Sequence, residues 1–199
     1  MGMRNFLLLL LTAFLCVGCA QKPLNADNPG RTIVAFGDSL TAGYGAADGE
    51  SFPARLQTMV NMPVINLGVS GDTARAGADR KREIARHNPF MVLIEFGGND
   101  LMRGRPFAET QTALEEIVDY VHSLGAIAVL VDTGGNFKMA PYSKMMKQLA
   151  QDKGALFVPA IMDGIFYKPQ YKSDGIHPNA EGYRLIAGKV YKKISPFLR

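Results

Sequence analysis

The chain has 199 residues, 47% of them apolar and 20% charged, with a formal net charge of +4 and an isoelectric point near 9.1. That is the make-up of one ordinary globular domain, large enough to bury a core without disulfides or metal. The 22 Lys and Arg are scattered rather than gathered into a run, which excludes a nucleic-acid footprint and reads as a solvated, mildly basic surface.

The first stretch, MGMRNFLLLLLTAFLCVGCA, has one Arg, an apolar run over 6–17 and then small residues around a Cys. This is the signal-peptide pattern, and the run is too short to span a bilayer comfortably as a mature helix. Its end, CVGC, resembles a bacterial lipobox with Cys16 where Leu is usual. The resemblance implies a lipoprotein signal peptide over 1–18 and a lipid on Cys19, the new N-terminus. Ala20 stands where Asp retains many lipoproteins at the inner membrane, so the resemblance implies a cell-envelope protein of the outer membrane. A plain secretory signal and an uncleaved anchor are the competing readings. Both cysteines lie in this segment, so the domain can hold no disulfide, cysteine nucleophile or thiolate metal site. QKPLNADNPG is polar, with two Pro and no periodicity, and residues 19–30 read as lipidated Cys and tether before a domain at 31–199.

From there, short apolar or β-branched runs alternate with segments of helical spacing. Strands are expected at 32–36, 64–67, 91–96, 126–131 and 155–158, and helices at 52–60, 73–87, 108–124, 141–153 and 180–194. The fourth strand is apolar throughout, which suits burial on both faces of a parallel sheet. The order βαβαβαβαβα predicts a three-layer α/β/α sandwich with right-handed crossovers.

In such a sheet, ligands bind beyond the carboxyl ends of the strands. The loops there carry Asp38 and Ser39, then Gly68, Ser70 and Asp72, then Asn99 and Asp100, and finally Asp174 and His177; the fourth, DTGGNF, has glycines but no evident base. The same rule sorts the three histidines. His87 and His122 each end a helix before a strand and read as cations at helix C-termini. Only His177 follows a strand. Asp174 can hold one ring nitrogen while the other takes a serine proton, although it also reads as a loop acid capping the helix that follows. Ser39, at a helix start, is either a nucleophile or a cap. Donors for an oxyanion are available from the Ser39 N–H, the backbone at Gly68 and the Asn99 amide, with turn glycine and loop cap as the plainer readings of the last two.

Four blocks in order, FGDSL, NLGVSGDT, FGGND and DGIHPN, make the chain resemble the SGNH hydrolases, a branch of the GDSL esterases and lipases, over nearly all of 31–199. It is most similar to the branch containing bacterial periplasmic thioesterases, lysophospholipases and arylesterases. The resemblance implies a flavodoxin-like strand order 2-1-3-4-5, with no metal and no cofactor. It implies Ser39 as nucleophile, His177 as base and Asp174 as its orienter, with the Ser39 and Gly68 amides and the Asn99 side chain as oxyanion hole. Two departures touch the acyl site: DTGGNFKMAPY replaces a loop with Pro and Tyr, and Leu101 stands where Gly is expected.

The expectation is a serine esterase or thioesterase, acting as a monomer on a small-molecule or lipid acyl ester. Leu101, Phe137 and Met139 favour longer or aromatic acyl groups, if they face the site rather than the core. The alternatives are a carbohydrate O-deacetylase of envelope polysaccharide and a non-catalytic binding lipoprotein.

Overall fold

In the computed structural model, which describes residues 22–198, the β-branched runs form β1 (Thr32–Gly37), β2 (Val64–Gly68), β3 (Pro89–Glu95), β4 (Ile127–Val131) and β5 (Leu156–Val158). All pair in parallel, in the order β2-β1-β3-β4-β5. This is the order that the family resemblance implies. The register sets Gly37 beside Gly68 on one side and Glu95 on the other, so the carboxyl ends of three strands are level.

Alternate residues of each strand feed opposite layers. Val34, Phe36, Val92, Ile94 and Leu130 face a core built with α3 (Ala74–Arg80), α5 (Phe107–Ser123) and α6 (Ala140–Lys153). Ile33, Ala35, Met91, Leu93 and Val129 face α2 (Phe52–Gln57) and α7 (Ala180–Ile194). β3 and β4 are buried at every position, as expected of strands covered on both faces. Among the described residues no helix is long and apolar enough to cross a membrane.

Four local expectations change. The helix expected over 73–87 stops at Arg80, and a 3-10 turn, Lys81–His87, runs to Asn88 in left-handed conformation (φ 48°). Pro89 follows directly, and a residue before Pro is pushed out of the helical region. The helix start expected at Ser39 is a single turn, α1 (Ser39–Ala42), and a further short helix at a strand end, α4 (Gly98–Met102), adds to the expected set, being too short to leave a periodic signal. His122 ends α5 before β4 as expected, but it does not suit a cation: burial lowers its pKa, and its Nε2 is buried without a partner.

The fourth correction concerns residues 22–30, which do not behave as a free tether. The Asn25 Nδ2 donates to His122 O and Ala126 O, each at 3.1 Å, the Asn28 Nδ2 donates to Phe90 O at 3.0 Å, and the Leu24 N–H donates to Gly154 O at 2.9 Å. Polar side chains here satisfy carbonyls at the amino edge of the sheet, opposite the edge where the strands end. The expected signal peptide and Cys19 lie outside the described residues.

Candidate active site

β1 breaks at Gly37, where any side chain would collide with Thr41 Oγ1 and the Glu95 carbonyl. The chain can therefore fold α1 tightly over the strand end. The capping side chain is that of Asp38, whose Oδ1 accepts the Leu40 N–H at 3.0 Å. Ser39 is thus the first helical residue and not the cap, and its hydroxyl is left for other contacts.

That hydroxyl lies 3.0 Å from His177 Nε2. On the other side of the ring, Nδ1 is 2.7 Å from Asp174 Oδ2. Asp174 Oδ1 accepts the N–H groups of Ile176 at 2.8 Å and His177 at 2.7 Å. The His177 N–H, with the other bonds, holds the Asp174 carboxyl down at about 2, so it stays ionised beside the imidazole. The loop is closed by Ser173 N–H to His177 O at 3.0 Å, and the Tyr44 ring packs on the imidazole with centroids 4.4 Å apart. The Tyr183 hydroxyl of α7 donates to Tyr44 O at 2.7 Å and steadies that support. Neither tyrosine was singled out from the sequence, where each looks like an ordinary surface or core aromatic.

Asn99, in α4, is buried, with Nδ2 2.9 Å from Asp38 Oδ2 and 3.0 Å from Asp72 O. The amide is therefore held at the Ser39 turn. Gly68 does not fill the place expected of it: its N–H is bound to Asn66 Oδ1 at 2.9 Å, and a side chain there would strike the backbone of Thr41 and Ala42. Its role is to let α1 approach β2. A second glycine follows β2 on this side, Gly71, in a turn closed by Asp72 N–H to Val69 O at 3.1 Å. With φ 89° it needs glycine, and its N–H meets no acceptor among the described residues. The sequence signal was present in SGDT, where a glycine before an acid marks a turn.

The other loop acids serve structure. Asp100 accepts Ala74 N–H and Thr110 Oγ1, both at 3.0 Å, while Asp72 holds Arg80 Nε at 2.7 Å.

A cavity of about 480 Å³ opens from Ser39 and His177 and is walled by Leu101, Met139, Met162 and Phe166. Phe137, 78% exposed, and Tyr167, 70% exposed, stand at its mouth. The loop after β4 is fixed by Asp132, which accepts from Gly134 N–H at 3.1 Å, Ser143 Oγ at 2.9 Å and Ala160 N–H at 3.0 Å. Burial raises the Asp132 pKa.

A hydroxyl against an imidazole, an acid behind the ring and N–H donors at the same strand ends define a hydrolase site of the serine type. The chain belongs to the GDSL-like lipase/acylhydrolase family, whose model matches residues 35–185. It is an ester hydrolase of that family. It is 32% identical to thioesterase 1/protease 1/lysophospholipase L1 of Escherichia coli K12, over 84% of this chain and 85% of the relative. An arylesterase of Vibrio mimicus is 29% identical over 94% of this chain and 96% of its own. The crystal structure of esterase EstA from Pseudoalteromonas sp., inhibited by monoethylphosphonate, superposes with a TM-score of 0.76 at 27% identity, covering 84% of this chain and 98% of that one.

Proposed function

We propose that the enzyme hydrolyses medium- to long-chain acyl esters or thioesters in two steps through an acyl group on Ser39. His177 Nε2 takes the hydroxyl proton as Ser39 Oγ attacks the carbonyl, and Asp174 holds the ring in the tautomer that allows this. The developing oxyanion is met by the N–H groups of Ser39 and Gly71 and by Asn99 Nδ2, which gives up its bond to Asp72 O to donate there while its other N–H stays on Asp38 Oδ2. Collapse expels the alcohol or thiol with the proton from His177; a water then attacks the acyl group with the same base, freeing the acid and Ser39. The observation that carries this reading is the line from Ser39 through His177 to Asp174, at 3.0 and 2.7 Å.

The walls of Leu101, Met139, Met162 and Phe166 support the substrate class, because an acyl tail gains roughly 0.8 kcal/mol for each CH₂ it buries. On nitrophenyl esters, kcat/KM should rise by at least about tenfold from acetyl to octanoyl, mostly through KM. The reverse order would favour the O-deacetylase reading.

We also read the protein as lipid-anchored through Cys19 at the outer membrane. The docking of residues 22–30 supports one consequence. Lys22 lies at the amino edge of the sheet and the cavity at the carboxyl edge, and Cys19 precedes Lys22 by only three residues. The described chain thus starts at the edge opposite the cavity, which supports an anchor that leaves the cavity open to substrate from the aqueous side. Palmitate should label the protein in cells and fail to label Cys19→Ser; equal labelling of both contradicts the anchor.

A further inference from the structure

Beneath the site lies an acid that the reaction above does not use. Glu95, the last residue of β3, is fully buried; its Oε2 accepts Thr41 Oγ1 and its Oε1 accepts Thr133 Oγ1, each at 3.0 Å. The same carboxyl faces the carboxyl and the backbone N–H of Asp38. Asp38 is 3% exposed and is the group on which Asn99 Nδ2 rests.

Among the described residues, no Lys or Arg pairs with either acid. Arg80, which reaches the strand ends from α3, gives its N–H groups to Gly37 O, Leu67 O, Glu83 and Asp72. From α7 the Tyr183 hydroxyl faces the pair but is engaged with Tyr44 O, and burial raises its pKa so that it stays a phenol. The His177 and Asp174 pair lies above, on the far side of Ser39. Two uncompensated carboxylates buried together are strongly disfavoured relative to a pair that shares one proton. Burial raises both groups, and the charge on Glu95 raises Asp38 further.

We propose that Glu95 is a positioning residue for the oxyanion side: with Asp38 it forms a buried pair holding one proton, which aims the Asn99 amide and limits the charge beneath the oxyanion to one. The proposal rests on Ser39 as nucleophile and Asn99 as oxyanion donor. Loss of the shared proton in alkali puts a second negative charge under a developing one. It therefore lowers kcat while leaving KM nearly unchanged.

The test is kcat and KM against pH, from about pH 5 to about pH 10, for the wild type, Glu95→Gln, Glu95→Ala and Thr133→Val. The wild type should show an alkaline fall in kcat. In Glu95→Gln, whose amide cannot ionise, the fall should move up by at least about one pH unit or disappear, with neutral kcat kept within about threefold. Thr133→Val removes a hydrogen bond that favours the ionised Glu95, so its fall should also move up, by less; it serves if the Glu95 variants do not fold. Glu95→Ala should lose about tenfold or more in kcat with KM within about twofold. A wild-type profile with no alkaline fall, or the same fall in Glu95→Gln and Thr133→Val, overturns the proposal. Fluorophosphonate labelling separates the two readings: label on Ser39 with an unmoved profile rejects the role of Glu95 alone, and no label on Ser39 rejects the nucleophile and this proposal with it.

Discussion

Replacing Ser39 with Ala should lower kcat/KM on nitrophenyl esters by about 10⁴-fold or more and leave the thermal midpoint nearly unchanged. The hydroxyl is at hydrogen-bond distance from His177 in the lining of the cavity, and it caps nothing, because Asp38 is the cap. Removing it deletes the nucleophile while keeping the helix and the Ser39 N–H. Adding His177→Ala to Ser39→Ala should cost little more, since the two act as one unit. Retained hydrolysis in Ser39→Ala, or a further large loss in the double variant, rejects the shared role.

The second large effect is expected at Asn99. Substitution by Ala removes one oxyanion donor and should lower kcat by about 10²–10³-fold, a loss of roughly 3–4 kcal/mol in transition-state stabilisation, with KM little affected. It also leaves buried Asp38 Oδ2 without the donor now at 2.9 Å, which should cost about 1–3 kcal/mol of stability. Kinetics and calorimetry together read the two costs. An unchanged kcat in a folded Asn99→Ala protein rejects the oxyanion assignment. The same pair of measurements distinguishes the glycines: Gly68→Ala should act on stability, through its collision with α1, whereas Gly71→Ala strains a φ of 89° at the N–H proposed to meet the oxyanion and should lower kcat as well.

Much of this was legible because periodicity and chain order are local signals. Alternating β and α runs gave the sheet, and the rule that ligands meet the carboxyl ends of parallel strands separated His177 from His87 and His122. Ser39, Asn99, Asp174 and His177 follow strands in the sequence, and the structure brings them together. What was not legible depends on register and on distant partners. Gly68 and Gly71 look alike in NLGVSGDT until β2 is seen to run through Gly68 and spend its N–H on Asn66. The role of residues 22–30 was hidden for a similar reason: Asn25 bonds carbonyls 97 and 101 residues away, and a polar segment with two prolines gives no hint of that. Glu95 reads as the polar end of a strand, and only its burial against Asp38 shows that two acids share the site floor.

The most direct test of the mechanism is stoichiometric reaction with a fluorophosphonate, followed by peptide mass mapping and assay of the residual activity. One phosphonyl group per chain, mapped to Ser39, absent from Ser39→Ala and gained in step with the loss of hydrolysis, is the predicted result. Full hydrolytic activity without modification, or a modified residue other than Ser39 in the inactivated enzyme, contradicts it.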